Sequence, residues 1–367
     1  MFPKTMIFRF AKYLYLRDGD IGQESGVGLY SDEDGNEFVL KTGDLFREEL
    51  GFYDMTVDVP GLTKTFDGNI TFEKNGVKLI PRRDGICMHR YVGDLGELID
   101  ARKKGSQTKC AEPPFKINEI LPQMVGLLAS LDMLHDIRIG HGDIKPKNIL
   151  YDRDGKLYLT DFGISRVYSE EQMAMFSEYK GSARVLTKEE KKDLWLGAQP
   201  GTFLYGSPEN HLAFVRTRIP KYPVSDIWSL GCVFFEMLTG FVFNNSTFRK
   251  SEDGEITRFY FKMTRDQSCI LDKVTNDMKR DFPREIAETY SPILSLIDFQ
   301  RSAGAISDSD EQNIKDLFVG MLDPNFLTRL SAKECLKNPL FKNHLYIHRD
   351  MLKYGERGHC RGLEKGL

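Results

Sequence analysis

The feature that most constrains this chain is a polar stretch at residues 141–148, which reads H-G-D-I-K-P-K-N. A D-F-G triplet begins at Asp161, thirteen residues after Asn148. Two short apolar runs lie between these motifs, separated by an Asp-Gly pair at 154–155 that is typical of a tight β-hairpin turn. Because a hairpin reverses the chain, we expect Asp161 to return beside Asn148.

The residues of these two motifs suit the transfer of a phosphoryl group. Asp143 can orient an attacking hydroxyl and accept its proton, and Lys145 can neutralise charge on the transferring phosphate. Asn148 and Asp161 offer hard oxygen ligands of the kind that Mg²⁺ prefers. We therefore expect Asp143 and Lys145 to be catalytic, and Asn148 and Asp161 to hold the metal.

The rest of the chain divides into a β-rich and a helical part. Candidate strands precede Tyr91, at 13–16, 27–30, 37–41, 65–72, 77–80 and 86–91, with a helix that Asp44 could cap after the third. Beyond Tyr91 an apolar stripe with helical spacing runs from Leu121 to Leu134, and Pro122 is expected in the first turn of that helix. The most apolar run, 227–238, is too short to span a bilayer and predicts a buried helix.

With these motifs the chain resembles the eukaryotic-type protein kinases over nearly its whole length. Residues 201–209 (G-T-F-L-Y-G-S-P-E) look like the end of an activation segment, and 226–231 (D-I-W-S-L-G) look like the start of the buried central helix. The sequence L-D-P at 322–324 with Arg329 looks like a late element whose arginine pairs with the glutamate of the A-P-E motif, here Glu209.

The resemblance implies an α+β, two-lobed protein-kinase-like fold, with a mainly β N-lobe and a mainly helical C-lobe. We expect the domain at 12–344, the N-lobe at about 12–91, the C-lobe at about 92–344 and a C-terminal tail at 345–367. The resemblance also implies ATP and Mg²⁺ as cofactors and proteins as substrates. Lys145-Pro146 and Gly201-Thr202 are similar to the serine/threonine class.

The same resemblance assigns a phosphate-contacting lysine and its partner. The run F-V-L-K, ending at Lys41, looks like the third strand of the N-lobe with that lysine. Its acidic partner is expected on the next helix, where Glu49 fits best and Glu48 is the alternative. The connection from Lys41 is shorter than is usual in the family.

The remaining nucleotide contacts match the family less well. Instead of G-x-G-x-x-G, residues 21–29 read I-G-Q-E-S-G-V-G-L, with the glycines spaced differently. Glycine lets backbone N–H groups approach phosphates without interference from a Cβ. We expect nucleotide contacts from Ile21, Gly22, Gly26, Gly28 and Leu29.

Adenine is expected to pair with the segment between the lobes. The sequence M-H-R-Y-V-G-D at 88–94 matches that strand and hinge by pattern. On this register the carbonyl of Arg90 and the amide of Val92 pair with the base, and His89 lies at the back of the pocket. A register displaced by one residue would change these partners.

Two departures from the family carry information. Gly142 stands where an arginine usually precedes the catalytic aspartate and contacts a phosphorylated activation loop. The absence of that arginine argues against control by phosphorylation of the activation loop. The segment 161–209 is longer than is common and is either an ordered or a mobile insertion.

Composition excludes several other classes. The net charge is −3, so we expect no nucleic-acid partner. The six cysteines form no C-x-x-C pair, which argues against a zinc or redox motif. Lysine and arginine interrupt the apolar N-terminus before a secretory segment could form, so we expect no membrane anchor and an intracellular, cytoplasmic protein. The alternatives left open are a nucleotide-binding pseudokinase scaffold and a small-molecule kinase, and the oligomeric state is open.

Overall fold

The computed structural model describes a β-rich part of the chain followed by a helical one. The described residues are 6–10, 26–31, 36–43, 46–66, 70–74, 77–104, 114–179, 203–207, 223–240, 242–243, 246–250, 256–260, 308–323 and 326–353. Within them the large sheet precedes residue 90 and the long helices follow it. The predicted α+β, two-lobed arrangement is confirmed.

A six-stranded sheet forms the N-lobe. Its strands are β1 (Met6–Phe10), β2 (Gly26–Ser31), β3 (Glu37–Thr42), β4 (Ile70–Lys74), β5 (Val77–Leu79) and β6 (Ile86–His89), in the order β5-β4-β1-β2-β3-β6. Neighbouring strands are antiparallel except for β1 and β4, which are parallel. The strands expected at 27–30, 37–41, 77–80 and 86–91 are confirmed, whereas the one expected at 13–16 lies outside the described residues. The strand expected at 65–72 begins later, at Ile70.

One helix, α1 (Phe46–Met55), follows β3 and packs between the sheet and the helical lobe. Leu50 and Tyr53 enter the main hydrophobic cluster, which continues through both lobes. Glu49 is on the same buried side and is only 4% exposed. The expected capping residue, Asp44, lies outside the described residues.

Helices build the C-lobe around two buried members. The helices are α2 (Leu95–Lys104), α3 (Ile117–Asp136), α4 (Glu170–Tyr179), α5 (Val224–Thr239), α6 (Asp308–Met321), α7 (Ala332–Cys335) and α8 (345–353). The predicted apolar stripe of α3 is buried, and α5 is buried along almost its whole length. None of the described helices has both the length and the apolar character needed to cross a membrane.

The position of Pro122 differs from the expectation. The sequence predicts this proline in the first turn, but α3 begins at Ile117 and Pro122 is the sixth residue of the helix. Proline has no N–H to donate to the carbonyl four residues earlier, that of Asn118. The helix nevertheless starts early because the Glu119 carboxylate accepts the Lys116 N–H at 2.8 Å and closes its first turn.

Short strands connect the helices and position the loops of the site. They are β7 (Gly93–Asp94), β8 (Ile139–Gly140), β9 (Ile149–Tyr151), β10 (Leu157–Leu159) and β11 (Arg166–Val167), with a separate hairpin of β12 (Ser246–Lys250) and β13 (Ile256–Tyr260). The predicted hairpin is confirmed: β9 pairs with β10, and Gly155 in its turn has a φ of +75°. Strand β8 pairs with β11, so the segments before and after this hairpin also lie side by side.

Candidate active site

The start of the loop at 141–148 is held by a carboxylate on helix α5. Asp226, in the first turn of α5, accepts the backbone N–H groups of His141 and Gly142, each at 2.8 Å. The Nε2 atom of His135 lies 3.1 Å from the same carboxylate. Burial alone would raise the pKa of Asp226, but the hydrogen bond and charge of His135 outweigh it and hold the pKa below its usual value. The loop therefore begins on a buried, ionised anchor.

The polar side chains of this loop contact one another. The Nδ2 atom of Asn148 donates to the main-chain carbonyl of Asp143 and to its Oδ2 atom, both at 2.9 Å. The Lys145 ammonium lies 2.7 Å from the same Oδ2 atom. These contacts fix the rotamer of the Asp143 carboxylate and place a cation beside it.

The β9–β10 hairpin returns Asp161 to this loop, as the sequence predicts. The Thr160 N–H donates to the Asn148 carbonyl at 3.0 Å, so the next residue, Asp161, lies beside the loop. Asp161 has a φ of +70°, a left-handed conformation that costs about 1 kcal/mol or more for a residue other than glycine. Such strain at a polar residue is typical of functional sites.

Aromatic rings support the strained residue from behind. The Phe162 ring is fully buried and lies 5.1 Å from the ring of His141 and 5.0 Å from that of Tyr53 on α1. The Tyr53 hydroxyl accepts the Asp161 N–H at 3.3 Å. These ring contacts join α1 to the loop at 141–148 and to the D-F-G triplet.

Lys41 projects from β3 between two carboxylates. Its ammonium lies 2.6 Å from Glu49 Oε2 and 2.8 Å from Asp161 Oδ1. Glu48 is exposed, so the structure brings Lys41 together with Glu49 and not with the alternative.

Charge and burial act in opposite directions on this triad. Burial alone would lower the pKa of Lys41, but the charges of Asp161 and Glu49 outweigh it and raise the pKa. Burial raises the pKa of Glu49, and Lys41 opposes that rise. The pKa of Asp161 is lowered, because Lys41 outweighs burial there. The ammonium is thus firmly charged and held between the two carboxylates.

The described part of the glycine-rich stretch lies opposite this lysine. In the β2–β3 ladder Gly26 pairs with Thr42, Gly28 with Leu40, and Leu29 with Val39, while Val27 faces Lys41. Ile21 and Gly22 lie outside the described residues.

One of the two hinge partners expected from the sequence, the Val92 amide, is already bonded within the protein, whereas the pairing of the Arg90 carbonyl with the base stays a prediction. The Val92 N–H donates to the Tyr151 carbonyl at 2.9 Å, so it is used inside the protein and does not face a base. The Arg90 N–H continues the β3–β6 ladder to Glu37 O at 3.0 Å. The contact arises because β7, which starts at Gly93, pairs with β9, a long-range pairing that a local pattern does not reveal.

The arrangement fits a divalent cation held with the help of a nucleotide. Because Asn148 directs its amide nitrogen at Asp143, its amide oxygen is the atom available to a metal. The Asp161 carboxylate provides a second, anionic oxygen beside it. Two protein oxygens are the number that Mg²⁺ typically takes in sites completed by phosphates and water.

Arg329 is fully buried in the C-lobe and packs against α5. Its Nε atom donates to the Asp323 carbonyl at 2.8 Å, its Nη1 atom donates to the Val224 carbonyl at 3.2 Å, and its guanidinium lies over the Trp228 ring. The expected partner, Glu209, lies outside the described residues.

Sequence reasoning missed three residues that shape the site: His135, Tyr53 and the anchoring role of Asp226. The signal available for Asp226 is a carboxylate in the first turn of a mainly apolar helix. A buried charge of that kind needs partners. Nothing in the local sequence around His135 or Tyr53 marks their contacts.

Comparison with known proteins agrees with this geometry. The family model described as the protein kinase domain matches residues 91–341, about two thirds of the chain. A probable serine/threonine-protein kinase from Dictyostelium discoideum is 27% identical over 212 residues, which cover 58% of this chain and 28% of that protein. The chain thus spans little more than a quarter of the length of that curated relative.

Proposed function

The chain belongs to the protein kinase family, and we propose that it transfers the γ-phosphoryl group of ATP to serine or threonine hydroxyls of other proteins. Members of this family act on proteins and generally use ATP and Mg²⁺. The observation that carries the proposal is the triad of Lys41, Glu49 and Asp161, with contacts of 2.6 and 2.8 Å, beside the ordered loop of Asp143.

In the proposed reaction Asp143 orients the substrate hydroxyl and accepts its proton as the oxygen attacks phosphorus. Lys145 balances the charge on the transferring phosphoryl group, and Lys41 holds the phosphates that remain on the nucleotide. Asn148 and Asp161 hold Mg²⁺, which supplies charge neutralisation when bound. Glu49 positions Lys41.

We propose that adenine pairs with hinge residues one position earlier than the sequence pattern indicates. Since the Val92 N–H is bonded to Tyr151, we assign the hinge donor to the Tyr91 N–H and the acceptor to the His89 carbonyl. Gly26, Gly28 and Leu29 are proposed to cover the phosphates together with Ile21 and Gly22. The sequence places the kinase domain at 12–344, but β1 (Met6–Phe10) belongs to the N-lobe sheet and α8 packs on the core, so we propose a domain that includes both elements.

The preference for serine and threonine is proposed on two grounds. Lys145-Pro146 in the loop is similar to that class, and the Dictyostelium relative is named a probable serine/threonine-protein kinase. A small-molecule acceptor and an inactive scaffold are the rivals that an assay separates.

The proposal is tested by offering purified protein γ-labelled ATP, Mg²⁺ and two acceptor sets: a mixed protein panel and a panel of small hydroxyl compounds. We expect label in the proteins, recovered as phosphoserine and phosphothreonine after hydrolysis. Label confined to small molecules, or recovered only as phosphotyrosine, contradicts the proposed substrate class.

A further inference from the structure

Helix α8 lies beyond the part of the chain that the family model matches, yet it packs on the core. The match ends at residue 341, and α8 spans 345–353. Leu345 and Ile347 pack against the main hydrophobic cluster, and Met351 is only 6% exposed. His348 Nε2 lies 3.6 Å from an Asp132 carboxylate oxygen on α3. The segment expected from the sequence to be a tail thus starts with a docked helix.

The inner end of α8 meets the chain just after α1. Gly61 has a φ of +75°, and a Cβ placed on it would overlap Ser130 Oγ and would lie 3.1 Å from Met351 Cε. The Ser130 hydroxyl also donates to the Pro60 carbonyl at 2.9 Å. The backbone at Gly61 is therefore enclosed between α3 and α8, and Met351 forms one wall.

The segment that contains Gly61, residues 56–64, is held on its other sides by hydrogen bonds. The Lys64 ammonium donates to the carbonyls of Thr56, Val57 and Val59 at 3.3, 2.7 and 2.5 Å, which closes the C-terminal end of α1. The Leu159 N–H donates to the Gly61 carbonyl at 2.9 Å. These hydrogen bonds therefore tie segment 56–64 to the end of α1 and to β10.

From this segment, contacts lead directly to the triad. Thr63 Oγ1 donates to Thr160 Oγ1 at 3.0 Å, and the Tyr53 hydroxyl lies within 3.4 Å of both threonine hydroxyls. The Tyr53 hydroxyl accepts a hydrogen bond from the Asp161 N–H. Tyr53 also lies one helical turn after Glu49 on α1. A shift at Gly61 would therefore displace both carboxylates that surround Lys41.

We propose that α8 is a positioning element for the Lys41–Glu49–Asp161 triad, and that Met351 is the residue through which it acts on segment 56–64. Its consequence for turnover rests on the proposed kinase function. Its consequence for the order of α1 does not, because that follows from packing alone.

The experiment compares Met351→Ala with Leu352→Ala in the full chain. Leu352 is the matched control, since it is the next residue of the same helix and is 39% exposed. Met351→Leu keeps the apolar volume and tests rescue. Amide hydrogen exchange of residues 46–63 is measured together with kcat and with KM for ATP and for a protein substrate.

We expect Met351→Ala to speed exchange in α1 and segment 56–64, and to lower kcat by about tenfold while KM for the protein substrate stays unchanged. Met351→Leu and Leu352→Ala should behave like wild type. Should Met351→Ala fail to fold, Met351→Val provides a milder truncation with the same expected direction.

The proposal is overturned when Met351→Ala loosens only α8 and leaves exchange at 46–63 unchanged, or when Leu352→Ala has an equal effect. If the wild-type protein shows no turnover, the proposed kinase function is wrong, but the exchange test of α8 still applies. In that case the exchange measurement alone decides whether α8 orders α1.

Discussion

At the scale of single residues, Gly142 occupies a place that disfavours any side chain. Its φ is +82°, and a Cβ built there would lie 3.0 Å from the Ile164 carbonyl oxygen. In the resembling family an arginine stands here and contacts a loop phosphate. In this chain the Gly142 N–H donates to Asp226, which holds this stretch of backbone.

Two glycine substitutions separate the effects of conformation and contact. Gly155 has a similar φ of +75°, but a Cβ placed on it would meet nothing within 4 Å. Gly155→Ala should therefore lower the free energy of unfolding by about 1 kcal/mol, the cost of a left-handed backbone for alanine. Gly142→Ala adds the close contact with the Ile164 carbonyl and should lower the free energy of unfolding by about 2 kcal/mol. It should also lower activity. Chemical denaturation measures both free energies. Equal losses would show that the Ile164 carbonyl moves aside.

The Lys41–Glu49 pair gives a second residue-scale prediction. Glu49→Gln keeps the shape but removes the charge that positions Lys41, so kcat/KM should fall by about tenfold or more. Glu48→Gln changes the exposed neighbour on the same helix and is the matched control. Steady-state kinetics of the two variants check this, and wild-type activity in Glu49→Gln would exclude the pair from the mechanism.

At the scale of elements, the insertion after the D-F-G triplet is partly helical. Ser169 Oγ accepts the Gln172 N–H at 3.2 Å, and the Gln172 side chain accepts the Ser169 N–H at 2.8 Å. This reciprocal cap starts α4, and its S-x-x-Q signature is visible in the sequence. Within the segment, residues 180–202 and 208–209 lie outside the described residues.

Basal activity should not depend on phosphorylation of this segment, because Gly142 lacks the side chain that would gather a phosphate. Candidate sites are Ser169, Ser177, Ser182, Thr187 and Thr202. Phosphatase-treated protein should keep most of its rate. A variant with alanine at 177, 182 and 187 and Ser169→Asn should do the same, since asparagine also caps a helix but cannot be phosphorylated.

Arg166 and Arg184 are the residues that could replace the missing anchor. A loss of more than about tenfold, or about 1.4 kcal/mol of barrier, in the dephosphorylated protein would show that phosphate-driven ordering survives through another route.

At the scale of the whole molecule, local motifs predict the site better than the contacts between its parts. Asp143, Lys145 and Asn148 lie within six residues, and a short hairpin adds Asp161, so their association needs little long-range information. The hinge differs because its register depends on β7 pairing with β9, far along the chain. Helix α3 begins five residues before Pro122, where Glu119 accepts the Lys116 N–H, and the burial of its apolar face offsets the proline penalty.

The docking of α8 illustrates the same limit. The run I-H-R-D at 347–350 has local likeness to a catalytic triplet, but no lysine, asparagine or D-F-G follows it, and the structure places it on a helix. The contacts of this helix are with residues more than 200 positions earlier in the chain: His348 lies 3.6 Å from Asp132, and Met351, just after the run, lies beside Gly61.

The central claim is that Asp143 and its neighbours form a working phosphotransferase and not a scaffold. It is tested most directly by comparing label transfer from γ-labelled ATP in wild type and Asp143→Asn, after Mg²⁺-dependent nucleotide binding has been measured for both. Asparagine keeps the shape of Asp143 and loses the proton acceptor, so we predict equal nucleotide binding and a rate at least about a hundredfold lower in the variant. Nucleotide binding by both proteins with transfer by neither, or equal transfer by both, would contradict the account.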